Sequence, residues 1–158
     1  CFEMKDPTNP NANKRRQAYI ESMERNGQAA KIYQAAGEGW NFEEIGSTEG
    51  GRVLSSKAFE TNTILCSNDR LAIGMLSAAY GLGLRVGHGT QSDLRIAGHD
   101  DHPFSKFTCP PLTTIAQDYE AIANRAVREL FGILEHEERL SDRTETTFEG
   151  RLIMRDSA

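Results

Sequence analysis

The chain has 158 residues, of which 38% are hydrophobic and 26% charged, and its formal net charge is −5. That composition specifies one soluble globular domain with a real core, and no apolar run approaches the ~18 residues of a membrane span. The acidic balance, relieved only by Lys14-Arg15-Arg16, excludes a self-sufficient grip on nucleic-acid phosphates, and CFEMKDPTNP has neither the basic nor the long apolar region of a signal peptide.

Short apolar runs alternate with helical patterns from the start. CFEM at 1–4 reads as the first strand, followed by a loop over 5–15 and a helix from about Asn13 to Arg25, with Tyr19, Ile20 and Met23 on one face. Asn26-Gly27 ends it. AKIYQAA at 30–36 is the second strand, and Asn41 with Glu44 forms a capping box for a second helix that Gly46, Gly50 and Gly51 weaken. NTILCS at 62–67 is the third strand; Cys66 within it reads as a small buried hydrophobe. Three widely spaced cysteines imply neither a disulfide framework nor a metal knuckle, and fit a reducing cytoplasm. The third helix runs from Ser67 or Asn68 to Tyr80 and is apolar all round, so it needs cover on both sides, one from the sheet and one from a partner subunit. After the polar turn GHGTQSD, LRIAGHD at 94–100 is the fourth strand. A loop-rich stretch then leads to Pro110-Pro111, a helix over about Tyr119–Glu135, a polar linker at 136–146 and a last strand, TFEGRLIMR. Strands alternating with helices predict an α/β fold with a parallel sheet flanked by helices.

In such sheets ligands bind beyond the carboxyl ends of the strands. That rule selects Arg16 after the first strand, Trp40 after the second, Asn68 and Asp69 after the third, and His99, Asp100, Asp101 and His102 after the fourth. Arginine and aspartate hold vicinal hydroxyls through charge-assisted bonds, and a tryptophan face suits the C–H side of a sugar ring. A nucleobase would suit the same set almost as well. Each residue also has a purely structural role open to it: packing for Trp40, a solvated helix position for Arg16, capping for Asn68 or Asp69, a turn for Asp100. The string His99–His102 lacks a distant third ligand, so no metal is assigned. No base motif accompanies Cys66 or Cys109, so no catalytic residue and no cofactor are assigned.

Several strings resemble the LacI/GalR family of transcriptional regulators. ILCSNDRLAIGMLSAAYGLGLRVG, RIAGHDD, CPPLTTIAQD and GRLIMRDS occur in the family's order, preceded by NKRRQAY, and together they cover nearly the whole chain. The resemblance implies the C-terminal lobe of a periplasmic-binding-protein-like type I fold over 1–118. It makes 119–146 a crossover helix and linker packed on an N-terminal lobe that these residues do not include, and 147–158 a closing strand. It places effector contacts at Arg16, Trp40, Asn68, Asp100 and Gln117. It places a homodimer interface at Leu71, Ile73, Gly74, Met75, Phe104 and Phe107. Operator DNA would be bound only through an N-terminal head outside this sequence. The chain departs from the family at Ala18, at VGHGTQSDL and at His99.

The function expected is therefore a cytoplasmic sensor of a small effector, a sugar or sugar derivative ahead of a purine, without enzymatic activity or membrane contact. A periplasmic solute-binding protein shares the fold and is the alternative; an enzyme of the doubly wound class is the third reading. The stripe Ile122, Ala126, Leu130, Leu134 is built for burial, and is expected either to fold back on the lobe or to be covered by another chain. With half a cleft, the chain alone should bind effector weakly.

Overall fold

The computed structural model describes residues 1–5, 10–136 and 146–158. Most of the expected linker and part of the loop after the first strand lie outside these residues. The elements in chain order are β1 (Phe2–Met4), α1 (Pro10–Arg25), β2 (Tyr33–Ala35), α2 (Phe42–Ser55), β3 (Thr63–Leu65), α3 (Asp69–Gly81), β4 (Arg95–Ala97), β5 (Thr114–Ala116), α4 (Tyr119–His136) and β6 (Arg151–Ile153). A short 3₁₀ turn spans Ser105–Phe107.

The strands form three pairs: β1 with β2 and β3 with β4, both parallel, and β5 with β6, antiparallel. Single bridges, Phe2 to Cys66 and Ala97 to Thr113, tie the pairs side by side, giving the order β2-β1-β3-β4-β5-β6. The Ser67 amide donates to the Phe2 carbonyl at 2.9 Å, and the Gly98 amide to the Thr113 carbonyl at 2.9 Å. The order reverses at β1, so the crevice beyond β1 and β3 is the topological switch point where α/β sheets bind ligands.

β1 lies between β2 and β3 and is buried along its length. Around it, Phe2, Ile64, Cys66, Leu71, Met75 and Ile96 form the core. Burial pushes the Cys66 thiol up to about 12, so it stays protonated and inert at neutral pH.

The second side of α3 is covered from within the chain by α2, so Leu71, Gly74 and Met75 of the expected interface set lie buried. α2 lies against α3 backbone to backbone: a Cβ on Gly46 would overlap the Leu71 carbonyl, and one on Gly74 would overlap the Glu43 carbonyl and sit 2.6 Å from the Ser47 nitrogen. Leu71, Gly74 and Met75 are consequently buried between helix and sheet and are not available to a partner. Ile73 is half-buried, while Phe104 and Phe107 are exposed. The glycines expected to weaken α2 are what permit this approach. Asn41 does precede α2, but its side chain caps no amide; it reaches Glu44 instead, at 3.5 Å.

β5 was not anticipated as a strand, and it pairs with β6 to close the sheet. Ser157 welds this corner. Its hydroxyl donates to the Ile96 carbonyl at 2.6 Å and accepts from the Thr113 amide at 2.8 Å, and the Ile96 amide donates to its carbonyl at 2.8 Å. Arg155 donates to Asp101 at 2.6 Å and to the Leu112 carbonyl at 2.8 Å. The string GRLIMRDS therefore belongs, by hydrogen bonding, to the lobe formed by the preceding strands.

α4 does not fold back on that lobe, contrary to one of the two fates expected for its stripe. Only Ile122 of the large stripe residues is half-buried; Leu130 and Leu134 are exposed, as are Val127 and Phe131. No helix among the described residues is long and apolar enough to cross a membrane.

Candidate effector cleft

A cleft of about 770 Å³ opens at the switch point, within the range of small-molecule sites. Trp40, Asn68, Asp100 and Gln117, selected above from strand ends and family strings, all line it. Arg16 does not. Its guanidinium pairs with Glu3, buried in β1, at 2.5 Å. The cleft arginine is Arg15, which lines the opening with Ala12 one helical turn earlier. The helix phase explains the difference: Arg16 falls on the face of α1 that carries Tyr19, Ile20 and Met23, all half-buried, whereas Arg15 falls on the neighbouring face.

Arg15 Nη2 bonds Asp100 Oδ1 at 2.5 Å, and Nη1 donates to the Ser67 carbonyl at 2.8 Å. Gln117 Nε2 donates to the same carboxylate at 2.6 Å, and His99 Nδ1 lies 3.0 Å from it. The Asp100 amide donates to the Ile115 carbonyl at 2.9 Å, and the Tyr119 hydroxyl to the Asp100 carbonyl at 2.9 Å. This network holds a backbone that an aspartate rarely adopts: φ is 117° at Asp100 and 49° at Asp101. Strained residues over-determined by their surroundings concentrate at ligand sites. Burial pushes the Asp100 carboxyl up, but His99 and the Arg15 guanidinium outweigh it and hold the group below the ordinary carboxylate range. It is an anion at neutral pH and a strong acceptor for ligand hydroxyls.

The lining also includes the aromatic side chains of Trp40 and Phe42. Trp40 is 64% exposed and packs edge-on against Phe42, with ring centroids 5.6 Å apart. The Arg70 guanidinium lies over the Phe42 ring at 5.2 Å, and its Nε and Nη2 each bond Glu43 at 2.6 Å. The hydrogen bond from Arg70 holds the Glu43 carboxyl below its usual range. Phe42, Arg70 and Tyr119 were not anticipated as cleft residues; the adjacency of Phe42 to Trp40, and of Tyr119 to Gln117, was the available signal.

Asn68 and Asp69 divide the two roles considered for them. Asn68 caps α3, accepting from the Leu71 amide at 2.8 Å, and still lines the cleft. Asp69 is buried and turned inward, accepting from Ser105 Oγ at 2.6 Å, Thr114 Oγ1 at 2.6 Å and the His102 amide at 2.7 Å. Gly98 leaves the room this carboxylate needs, since a Cβ there would overlap Asp69 Oδ1. In the string His99–His102, Asp100 is taken by Arg15 and Asp101 by Arg155. No cluster of three metal-ligating side chains occurs among the described residues.

Residues 1–158 match the periplasmic binding protein-like domain family over their whole length. An HTH-type transcriptional regulator from Streptomyces limosus is 35% identical over 113 residues, 70% of this chain and 30% of that protein. The HTH-type transcriptional repressor PurR of Pasteurella multocida is 34% identical over 110 residues, 67% of this chain and 30% of its own length. Among solved structures, a LacI-family regulatory protein from Chloroflexus aggregans superposes with a TM-score of 0.80 at 28% identity, covering 99% of this chain and 54% of that one. A LacI-family regulator from Arthrobacter sp. FB24, in complex with lactose, superposes at 0.76 and 24% identity over 99% of this chain and 56% of that one. The chain thus spans about 30% of these curated relatives and about half of these solved chains.

Proposed function

Because this chain belongs to the periplasmic binding protein-like domain family, in the form found in LacI-type regulators, we propose that it is the effector-sensing part of a transcriptional regulator. The effector is a sugar or sugar derivative. The observation that carries the reading is one cleft lined by two unlike sets of side chains: Arg15, Asp100, Asn68 and Gln117 offer directional hydrogen bonds, and Trp40 offers an exposed aromatic surface. A sugar ring has the same two-sided character, with hydroxyls at its edge and a C–H face. The module binds and does not catalyse, works in the cytoplasm, and meets operator DNA only through an N-terminal head. The named relatives are helix-turn-helix regulators, which favours this reading over a periplasmic solute carrier. The exposed side of α4 (Val127, Leu130, Phe131, Leu134) is covered, in this reading, by the second lobe that closes the cleft.

The two neighbouring arginines test the cleft assignment. In the full-length polypeptide, Arg15→Met is expected to weaken sugar binding by roughly tenfold or more, because a charge-assisted bond is worth about 1.5–3 kcal/mol and Asp100 loses its arginine. Arg16→Met is expected to leave affinity within about threefold and to lower stability instead, since Glu3 would be left buried without its cation. Calorimetric titration and urea unfolding of both variants check this; the reverse assignment of effects would overturn it.

We place the homodimer surface on Ile73, Phe104 and Phe107, the members of the expected set that are not sealed inside the chain. The double substitution Phe104→Ser/Phe107→Ser is expected to raise the dimer dissociation constant at least about 100-fold, as loss of two aromatic anchors does at an interface centre. Analytical ultracentrifugation of the full-length polypeptide reads it, and an unchanged dimer would exclude this surface.

A further inference from the structure

The charge balance of the cleft narrows the ligand class. Among its described lining residues the ionisable side chains besides His102 and Tyr119 are four acids and two arginines. Both arginines are already neutralised within the chain. Arg15 is engaged by Asp100 and the Ser67 carbonyl, and Arg70 grips Glu43 with two nitrogens. Arg16, behind the β1 floor, is held by Glu3. Glu38, by contrast, stands exposed at the lip beside Trp40. The first turn of α3, which could otherwise attract an anion, already carries the buried Asp69 carboxylate, and its Leu71 amide is capped by Asn68. On this side of the cleft a phosphate or carboxylate would lose its water against a surplus of negative charge, with neither arginine of the described lining left to answer it. Neutral hydroxyls meet no such cost, because the Asp100 carboxylate accepts from them and the amides of Asn68 and Gln117 both donate and accept.

We propose that the cleft is selective for an uncharged ligand and rejects phosphorylated forms of the same molecule, with Glu38 as a specificity-determining residue at its mouth. This rests on the cleft being the effector site. Specificity of this kind comes from repulsion as well as attraction.

The test uses the full-length polypeptide and matched probes: galactose and galactose 6-phosphate, glucose and glucose 6-phosphate, adenine and AMP, with lactose and maltose as further uncharged probes. The shift in melting temperature is the first readout, and the fluorescence change that is lost in a Trp40→Phe variant gives a second one at the cleft mouth. An uncharged probe is expected to bind at least about tenfold more tightly than its phosphate ester at low ionic strength, with the gap shrinking as salt rises. Glu38→Lys is expected to narrow that gap by about threefold or more, and its exposed position leaves the fold intact. A phosphate ester binding as tightly as its uncharged partner would overturn the charge selectivity while leaving the cleft assignment standing. No response from any probe would overturn the cleft assignment and this selectivity with it.

Discussion

Asp69→Ala is expected to cost about 3–5 kcal/mol of folding stability, the loss typical of a broken buried charge network. Asp69 is 1% exposed, and among the described residues its carboxylate is held by hydrogen-bond donors. Three donors converge on it, the His102 amide and the Ser105 and Thr114 hydroxyls, and it sits in the first turn of α3. Removing it leaves Ser105 Oγ and Thr114 Oγ1, both in fully buried residues, and the His102 amide without acceptors, each costing on the order of 1–3 kcal/mol before relaxation. Asp69→Asn keeps the volume and one acceptor oxygen, and is expected to lose about half as much. Urea unfolding measures both; an Asp69→Ala midpoint within error of the parent would show that the network contributes nothing. The consequence extends to binding, because Asp69 ties α3 to the segment that carries Asp100 and His102. Effector affinity should fall in this variant even where the protein remains folded.

Gly74→Val is expected to be comparably severe, about 3 kcal/mol or more. Overpacking typically costs 1–3 kcal/mol, and here the new atoms meet backbone on α2, which cannot rotate aside as a side chain would. Separating the two helices would also move Phe42 and Glu43, which support the aromatic wall through Arg70. Gly51→Ala is the matched control: its Cβ would meet only Ala78 at 3.9 Å, so the gain in helix propensity should raise stability by about 0.5–1 kcal/mol. Thermal unfolding of both variants separates close helix contact from a general intolerance of side chains at these glycines. A stable Gly74→Val protein would mean that α2 and α3 are not packed as described.

What could be read before folding follows from how local each signal is. Strand ends were legible because short apolar runs stop at turns, and the strand-end rule then selected Trp40, Asn68 and Asp100 from the residues alone, while Gln117 came from the family string. Arg15 was passed over for Arg16 because one residue changes the helix face by about 100°; the stripe through Tyr19, Ile20 and Met23, extended one turn back, leads to Arg16 and places it inward. The all-apolar α3 correctly demanded cover on two sides, but composition cannot say whether that cover is a subunit or the neighbouring helix. Only the mutual fit of Gly46 and Gly74 decides it. β5 has three residues in its ladder, too few for a period to register, and its partner lies beyond α4 in sequence.

The corner welded by Ser157 has a further consequence for the order in which the molecule assembles. Its hydroxyl bridges β4 and the entry to β5, at separations of 61 and 44 residues. During synthesis the β2-β1-β3-β4 portion and its helices can collapse while residues 151–157 are still unmade, but the far edge of the sheet cannot finish. Until then the Ile96 and Thr113 amides lack these acceptors. Contacts of such long sequence range are slow to form because chain closure precedes any reward. A nascent chain halted before residue 151 should therefore present an open strand edge, the feature that recruits chaperones or neighbouring copies.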